Sequence, residues 1–439
     1  MNRSRSVAPA TLALTTLLAL SLARPGRSRA NETVQGLVTV AAGWTDNVLA
    51  RPTREQDAVF QLRPGVVFTS GGARGVQQLG DTFSADLFAL HSNGNSYSNR
   101  LYWTGLFLLS PKTQLFTQVD SNVGKLNTLN SLSDSSAAVT GVLPPGGTVF
   151  FDTTARENFY WTVDKEWRAN QAGSFRVFVP LVPSNASPVT WDGVLSLGTE
   201  RLFRRDSVGI DFRTEYIQYD ELRDSQTNAV ITPFQRQLVL SLLPRWRRDW
   251  SAFWSSELAA GALLAFRAED GSGLLVEPVG LAAIRYIRLQ LTGELAYAHN
   301  VTANPYAGQT FAVDEVALRA LFRFPERTHV AFGATCSYQH ARAVDALPGA
   351  ALASFDVLLA DATVTWQPRP EIGVFLRYQF FDQFAPTPEQ SFYRNNVMVG
   401  VSAIYPATAA VAVPQRPGQR VDRSDMSIPE PHSPPPPEK

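Results

Sequence analysis

After an apolar N-terminal segment, the chain is written almost throughout in apolar/polar alternation with a period of two, in runs long enough to cross a lipid bilayer as strands. A strand spanning a membrane needs roughly 9 to 11 residues with one face apolar and the other wet. Residues 328–339 place Val330, Phe332, Ala334, Cys336 and Tyr338 on one face, and His329, Ala331, Gly333, Thr335, Ser337 and Gln339 on the other. Residues 289–298 set Leu289, Leu291, Leu295 and Tyr297 against Gln290, Thr292 and Glu294. Val208, Ile210, Phe212 and Tyr216 oppose Asp211, Arg213 and Glu215 in the same way, and Ile372, Val374, Leu376, Tyr378 and Phe380 oppose Gly373, Arg377 and Gln379. Because successive strand side chains point to opposite faces, the phase is readable directly.

The connections alternate as well. Tight corners are expected at Ser110-Pro111-Lys112-Thr113, Asn170-Gln171-Ala172-Gly173, Arg285-Tyr286-Ile287-Arg288 and Pro368-Arg369-Pro370, among others, with longer polar stretches between them, such as residues 222–229 and 300–309. Short turns at one end and long loops at the other predict an all-β fold, a transmembrane antiparallel up-and-down β-barrel of about 18 strands (about 16 at the fewest), with periplasmic turns and extracellular loops. The longest loop, at 124–147, is expected outside the cell or folded into the lumen.

The ends have a different character. Arg3 and Arg5 precede an apolar stretch from Val7 to Ala23, and Ser28-Arg29-Ala30 is a small-x-small cleavage triplet, so residues 1–30 read as a secretory signal peptide. Residues 31–406 then form the barrel, and the Pro-rich segment 407–439 reads as an extended periplasmic tail. A soluble sandwich or propeller also alternates, with its apolar face turned inward. Charges at mid-strand, including Glu157 and Lys165, and aromatic residues near strand ends, including Trp44, Trp161, Trp167, Trp191, Trp254 and Trp366, favour a wet lumen and two interfacial girdles.

Composition narrows the function. With 39 basic and 39 acidic residues, the formal net charge is zero, so no general attraction to nucleic acid is expected. A single cysteine, Cys336, excludes an intramolecular disulfide and a thiolate metal cage, and its phase makes it a small apolar residue on the lipid face. No cofactor or metal is expected. The candidate lumen-lining residues are Arg213, Glu215, Arg236, Glu257, Gln290, Glu294, Arg319, Arg377, Gln379 and Arg394. Each serves as a partner in an inner-wall ion pair or as a direct contact for a passing solute.

The opening strand, ending in Gly43-Trp44-Thr45-Asp46-Asn47-Val48, and the closing strand, Asn395-Asn396-Val397-Met398-Val399-Gly400-Val401-Ser402-Ala403-Ile404-Tyr405, resemble outer-membrane β-barrels associated with exopolysaccharide secretion in Gram-negative bacteria. The resemblance implies integral residence in the outer-membrane lipid, insertion by the barrel-assembly machinery, and passage of a polysaccharide delivered by a periplasmic polysaccharide-export protein. Barrels of this kind finish at an aromatic on the last strand, whereas here a long tail follows Tyr405. A general or solute-specific diffusion porin is the alternative. A cell-surface barrel enzyme is a minor one: His91, His299 and His340 fall near the extracellular ends, but no Gly-x-Ser-x-Gly elbow or His-Glu-x-x-His helix accompanies them, so no enzyme is expected.

Overall fold

The computed structural model describes residues 31–125, 148–182, 187–224, 227–267, 274–304, 309–324, 329–344, 354–386 and 388–406. The expected signal peptide, residues 126–147 of the longest loop and the Pro-rich tail lie outside the described residues. In chain order the strands are β1 (Asn31–Thr45), β2 (Asp57–Gly72), β3 (Gly75–Phe88), β4 (Ser96–Ser110), β5 (Thr113–Lys125), β6 (Val149–Thr162), β7 (Trp167–Val182), β8 (Thr190–Leu202), β9 (Asp206–Tyr219), β10 (Leu222–Arg223) and β11 (Val230–Thr232). They continue as β12 (Gln235–Asp249), β13 (Trp254–Arg267), β14 (Leu274–Ile287), β15 (Leu291–Asn304), β16 (Gln309–Arg323), β17 (Val330–Ala343), β18 (Ser354–Arg369), β19 (Ile372–Phe384) and β20 (Phe392–Tyr405).

Eighteen of these form one sheet in which every strand pairs antiparallel with its neighbour in sequence. β20 returns to β1, from Gly36↔Tyr405 to Thr45↔Asn396, and closes the barrel, while β10 and β11 make a small separate hairpin between β9 and β12. Closure removes the free edges that β1 and β20 would otherwise present, which is what a membrane demands of strands. No helix among the described residues is long and apolar enough to cross a membrane.

The outer face is the apolar one. On β12, Leu238 and Leu242 are exposed on the outside, whereas Gln237, Val239 and Ser241 are buried on the inside. Around the barrel, Phe60, Phe83, Phe175, Leu195, Phe212, Leu258, Ile284, Leu295, Leu318, Leu376 and Val399 are likewise exposed. A water-soluble surface does not carry a continuous apolar band of this extent. Trp161, Trp167, Trp250, Trp254, Trp366 and Tyr405 ring the short-turn rim, and Trp44, Tyr97, Trp191, Tyr216, Tyr297, Tyr338 and Tyr378 ring the long-loop rim, as interfacial girdles do. Cys336 is exposed on this outer face.

Two expected corners move. Asn170-Gln171-Ala172-Gly173 is mid-strand in β7, and the turn lies at 163–166, so Lys165 belongs to the turn. A Cβ at Gly173 would stand 3.2 Å from Glu157 Cγ on β6, so a larger residue there requires that side chain to shift. Arg285-Tyr286-Ile287 is likewise the end of β14, with the turn at 288–290.

Candidate functional site

An inner wall that alternates with a lipid-facing one must carry its charges paired, and the pairing here runs from strand to strand. Arg285 on β14 donates from Nη1 to Glu257 on β13 at 2.7 Å and from Nε to Glu294 on β15 at 2.6 Å. Arg319 on β16 donates to the other oxygen of Glu294 at 3.2 Å. A four-residue Glu–Arg–Glu–Arg chain thus laces four consecutive strands. The same device recurs at Arg377 with Asp361 (2.7 Å), Arg176 with Asp152 (2.7 Å) and Arg100 with Asp120, while Arg213 and Glu215 pair along a single strand, β9, at 2.7 Å. Such alternation cancels the field of any one sign and leaves a polar wall of mixed charge.

Of the expected lumen residues, Arg213, Glu215, Glu257, Glu294, Arg319 and Arg377 stand in these inner-face pairs. Gln379 accepts from Asn396 Nδ2 at 3.2 Å on the inner face, and Arg394, at 1% exposure, is buried at the long-loop end of β20. Three expectations are corrected. Arg236 pairs in register with Gln218 on the outer face, in phase with the exposed Leu238, and its guanidinium lies 5.3 Å from the Phe234 ring centroid. Gln290 sits in the turn between β14 and β15, where its carbonyl accepts from the Arg323 N–H at 2.7 Å. Glu157, read as a lumen charge, faces outward in phase with Phe159 and Trp161 and accepts from Gln171 Nε2 at 3.2 Å.

The lumen is not uniform. Along β4 to β8 the inner face carries Tyr102, Gln118, Asn122, Asn158, Tyr160 and Asn170, all partly accessible, so this wall is wetted. Across the barrel the long-loop half is filled, because β15 and β16 leave the wall and fold inward. Residues of both faces of this hairpin are buried: Val301, Asn304, Gln309, Thr310, Phe311, Ala312 and Val313. Val301 and Ala312, which continue the lipid-facing phase of Tyr297 and Leu318, pack against Ile217, Val239, Leu263 and Val279 on the inner wall of β9 and β12 to β14. Phe311 and Val313 pack against Ala341, Phe355, Val357 and Phe381 from β17 to β19, with the Phe311 and Phe355 rings 5.3 Å apart and edge-on.

Hydrogen bonds pin the insertion from across the lumen. Tyr219 Oη donates to the Gln309 carbonyl at 2.9 Å, and Thr310 Oγ1 donates to Gln237 Oε1 at 2.8 Å. The polar stretch 300–309, expected as a loop, is strand at 300–304 and from 309 onward, and neither this hairpin nor Arg285 is among the features expected from the sequence. The signal for the first was the unbroken apolar run Phe311-Ala312-Val313, which a strand shows when both faces are buried.

The histidines lie elsewhere. His299 pairs with Asp314 at 2.8 Å and His340 with Asp356 at 2.8 Å, all four on the outward phase near the long-loop rim, where Tyr297 and Tyr338 donate to the same two carboxylates at 2.7 Å. His91 contacts Asp57 at 3.0 Å and Glu55 at 3.1 Å. No group of three or more His, Cys, Asp or Glu side chains among the described residues is arranged to hold a metal ion.

No protein-family model matches the chain, and no curated protein matches it in sequence. Among solved structures it is similar in fold to the outer-membrane protein OpdK of Pseudomonas aeruginosa (TM-score 0.43, 12% identity, covering 85% of this chain and 99% of that one). It is similar also to the siderophore receptor PirA of Pseudomonas aeruginosa (TM-score 0.43, 10% identity, 86% and 81%) and to a bacterial polysaccharide outer membrane secretin (TM-score 0.35, 8% identity, 84% and 97%).

Proposed function

We propose that the protein is an outer-membrane channel that passes a polysaccharide to the cell surface, with its short turns in the periplasm and its long loops outside. The observation that carries this reading is the wetted wall of β4 to β8, where amide and phenol groups stand between neutralised Arg–Asp pairs. Sugar hydroxyls find many exchangeable hydrogen bonds on such a wall and no single strong site, and conduction requires contacts weak enough to leave. An 18-stranded barrel is also wide enough to hold an aqueous passage, whereas one of about eight strands is filled by its own side chains. A periplasmic polysaccharide-export protein would deliver the polymer. In this reading the protein transports and does not hydrolyse, and His299 and His340 serve the outer rim.

A solute-specific diffusion porin is the second reading, and the inserted hairpin favours it, since a narrowed lumen suits a small molecule better than a chain. Planar-bilayer recording separates the two. Under the first reading, neutral or acidic polysaccharide added on the short-turn side interrupts the ionic current in a length-dependent way, and charge-reversing Arg100 or Arg176 alters the interruption. Current that ignores polysaccharide but is blocked by mono- or disaccharides would replace the first reading by the second.

A further inference from the structure

The wall has a vacant ladder position. Pairing of β14 with β15 runs from Ile287↔Thr292 to Gly280↔His299 and stops, although β14 continues to Leu274 alongside β13, and β15 continues to Asn304 alongside β16. Above Gly280, β14 therefore has no ladder partner on that side among the described residues. The strand that would fill the place is the one folded into the lumen. Extending the observed register by elementary counting sets Asn300 opposite Val279, Val301 opposite Pro278 and Thr302 opposite Glu277.

We propose that the long-loop half of the β15–β16 hairpin is a gate with two seats: the lumen seat seen here, and a wall seat in which residues 300–304 complete the ladder with β14 and clear the lumen. This rests on the channel reading above and adds its regulation. Three features fit a two-seat element. Against β9 and β12 to β14 the lumen seat is held by side-chain packing and by the hydrogen bonds of Tyr219 and Thr310, with no backbone ladder on that side, while β16 stays laddered to β17 as far as Phe311↔Ala343, so the hairpin moves together with the end of β17. Pro278 has no N–H to offer an incoming strand, so the wall ladder is one bond weaker than its length suggests, and the vacancy is tolerated. Arg342 on β17 reaches Glu277 on β14 at 3.0 Å across the place that β15 and β16 vacate. In the wall seat Thr302 stands beside Glu277, so this ion pair has to open. Packed elements of this kind switch between discrete arrangements and do not deform continuously.

Both seats can be trapped in the full chain with Cys336→Ser as background. The pair Glu277→Cys and Thr302→Cys faces across the wall-seat ladder, and opposed strand residues have Cβ atoms about 4.5 to 5.5 Å apart, within reach of a disulfide or a short bis-thiosulfonate bridge. The expected result is that bridging holds the channel in a high-conductance state, which a reducing agent reverses. Thr310→Val and Tyr219→Phe, which remove the lumen-seat hydrogen bonds of these two side chains and leave the ladder alone, each raise the occupancy of the high-conductance state about five- to tenfold. The proposal is overturned if the two cysteines each react with a maleimide yet never bridge, if bridging leaves conductance unchanged, or if neither hydrogen-bond variant shifts the occupancy. A bridged channel that conducts ions strongly but ignores polysaccharide would leave the gate standing and remove the polymer reading.

Discussion

Arg285 is the residue whose removal tests the wall most sharply. Its side chain is 10% exposed and that of Glu257 5%, and they bond at 2.7 Å, whereas Arg319, at the open end of the chain, is 40% exposed. Substituting Arg285→Met keeps the aliphatic bulk and strands Glu257 as a buried carboxylate, while Glu294 retains Arg319. Removing one partner of a buried pair costs about 3 to 5 kcal/mol, and the nearby lumen water places the expectation at the lower end, about 3 kcal/mol. Arg319→Gln, at an exposed site, should cost under about 1 kcal/mol. The double variant Glu257→Gln with Arg285→Met removes the stranded charge and should recover more than half of the loss. Reversible urea unfolding in phospholipid vesicles, followed by tryptophan fluorescence, measures all three. Equal costs for Arg285→Met and Arg319→Gln, or a double variant as damaged as the sum of its parts, would refute the view that burial and not mere pairing sets the energetics of this wall.

Other consequences are checked more simply. Leu242→Arg, on the lipid face of β12, should cost about 2 to 4 kcal/mol, while Gln118→Arg on the wetted inner face should leave stability within about 0.5 kcal/mol and move the reversal potential toward anion preference. A charged thiol reagent should fail to label Cys336 in the vesicle-embedded protein and label it fully on unfolding; rapid labelling of the folded barrel would contradict its lipid-facing phase. At the turn between β6 and β7, the N–H groups of Glu166 (2.7 Å) and Trp167 (2.8 Å) donate to Asp164 and hold its carboxyl below the ordinary range. A folded-state value that is depressed stabilises the turn above the ordinary carboxylate range, and the contribution disappears as pH falls through the lowered value. A carboxyl NMR titration of Asp164 with its midpoint at or above that of an exposed aspartate would show this hydrogen bonding to be absent.

Much of the barrel is legible in the chain because a membrane strand repeats a single two-residue rule over a long distance. The phase of Val330 to Tyr338, the lipid-facing place of Cys336, and the inner-face places of Glu257, Glu294 and Arg319 all follow from alternation within one uninterrupted strand. Glu157 and the corner expected at 170–173 fail in mid-strand, where polar residues occupy the outward phase, and the other departures fall where a strand begins or ends. Gln290 lies one residue before β15, which starts at Leu291, and Arg236 sits one residue after the start of β12, where no run of neighbours fixes the phase. A slip of one residue sends every side chain to the other face. Arg285 was hidden for the same reason, since a corner drawn at Arg285-Tyr286-Ile287-Arg288 removed from β14 the guanidinium that joins Glu257 to Glu294.

The inserted hairpin was harder to read because it obeys the alternation rule and changes what the two faces meet. Val301 and Ala312 keep the outward phase that lower in the same strands belongs to Tyr297 and Leu318, and find the apolar inner wall of β9 and β12 to β14 where lipid would otherwise be. That wall is itself out of character for a lumen, with Ile217, Val239, Leu263 and Val279 on the face that should be wet. Apolar residues on the inside of a large barrel have no water-facing purpose, so they mark the place where some other part of the chain must be seated. The opposite face of the hairpin meets the equally apolar Phe355, Val357 and Phe381. The two anomalies explain one another: over β9 and β12 to β14, and over β17 to β19, the barrel is greasy inside where its own sheet curls in to meet it, whereas the inner face of β4 to β8 carries amides, phenols and ion pairs, with Phe150 and Phe178 stacked at its long-loop end.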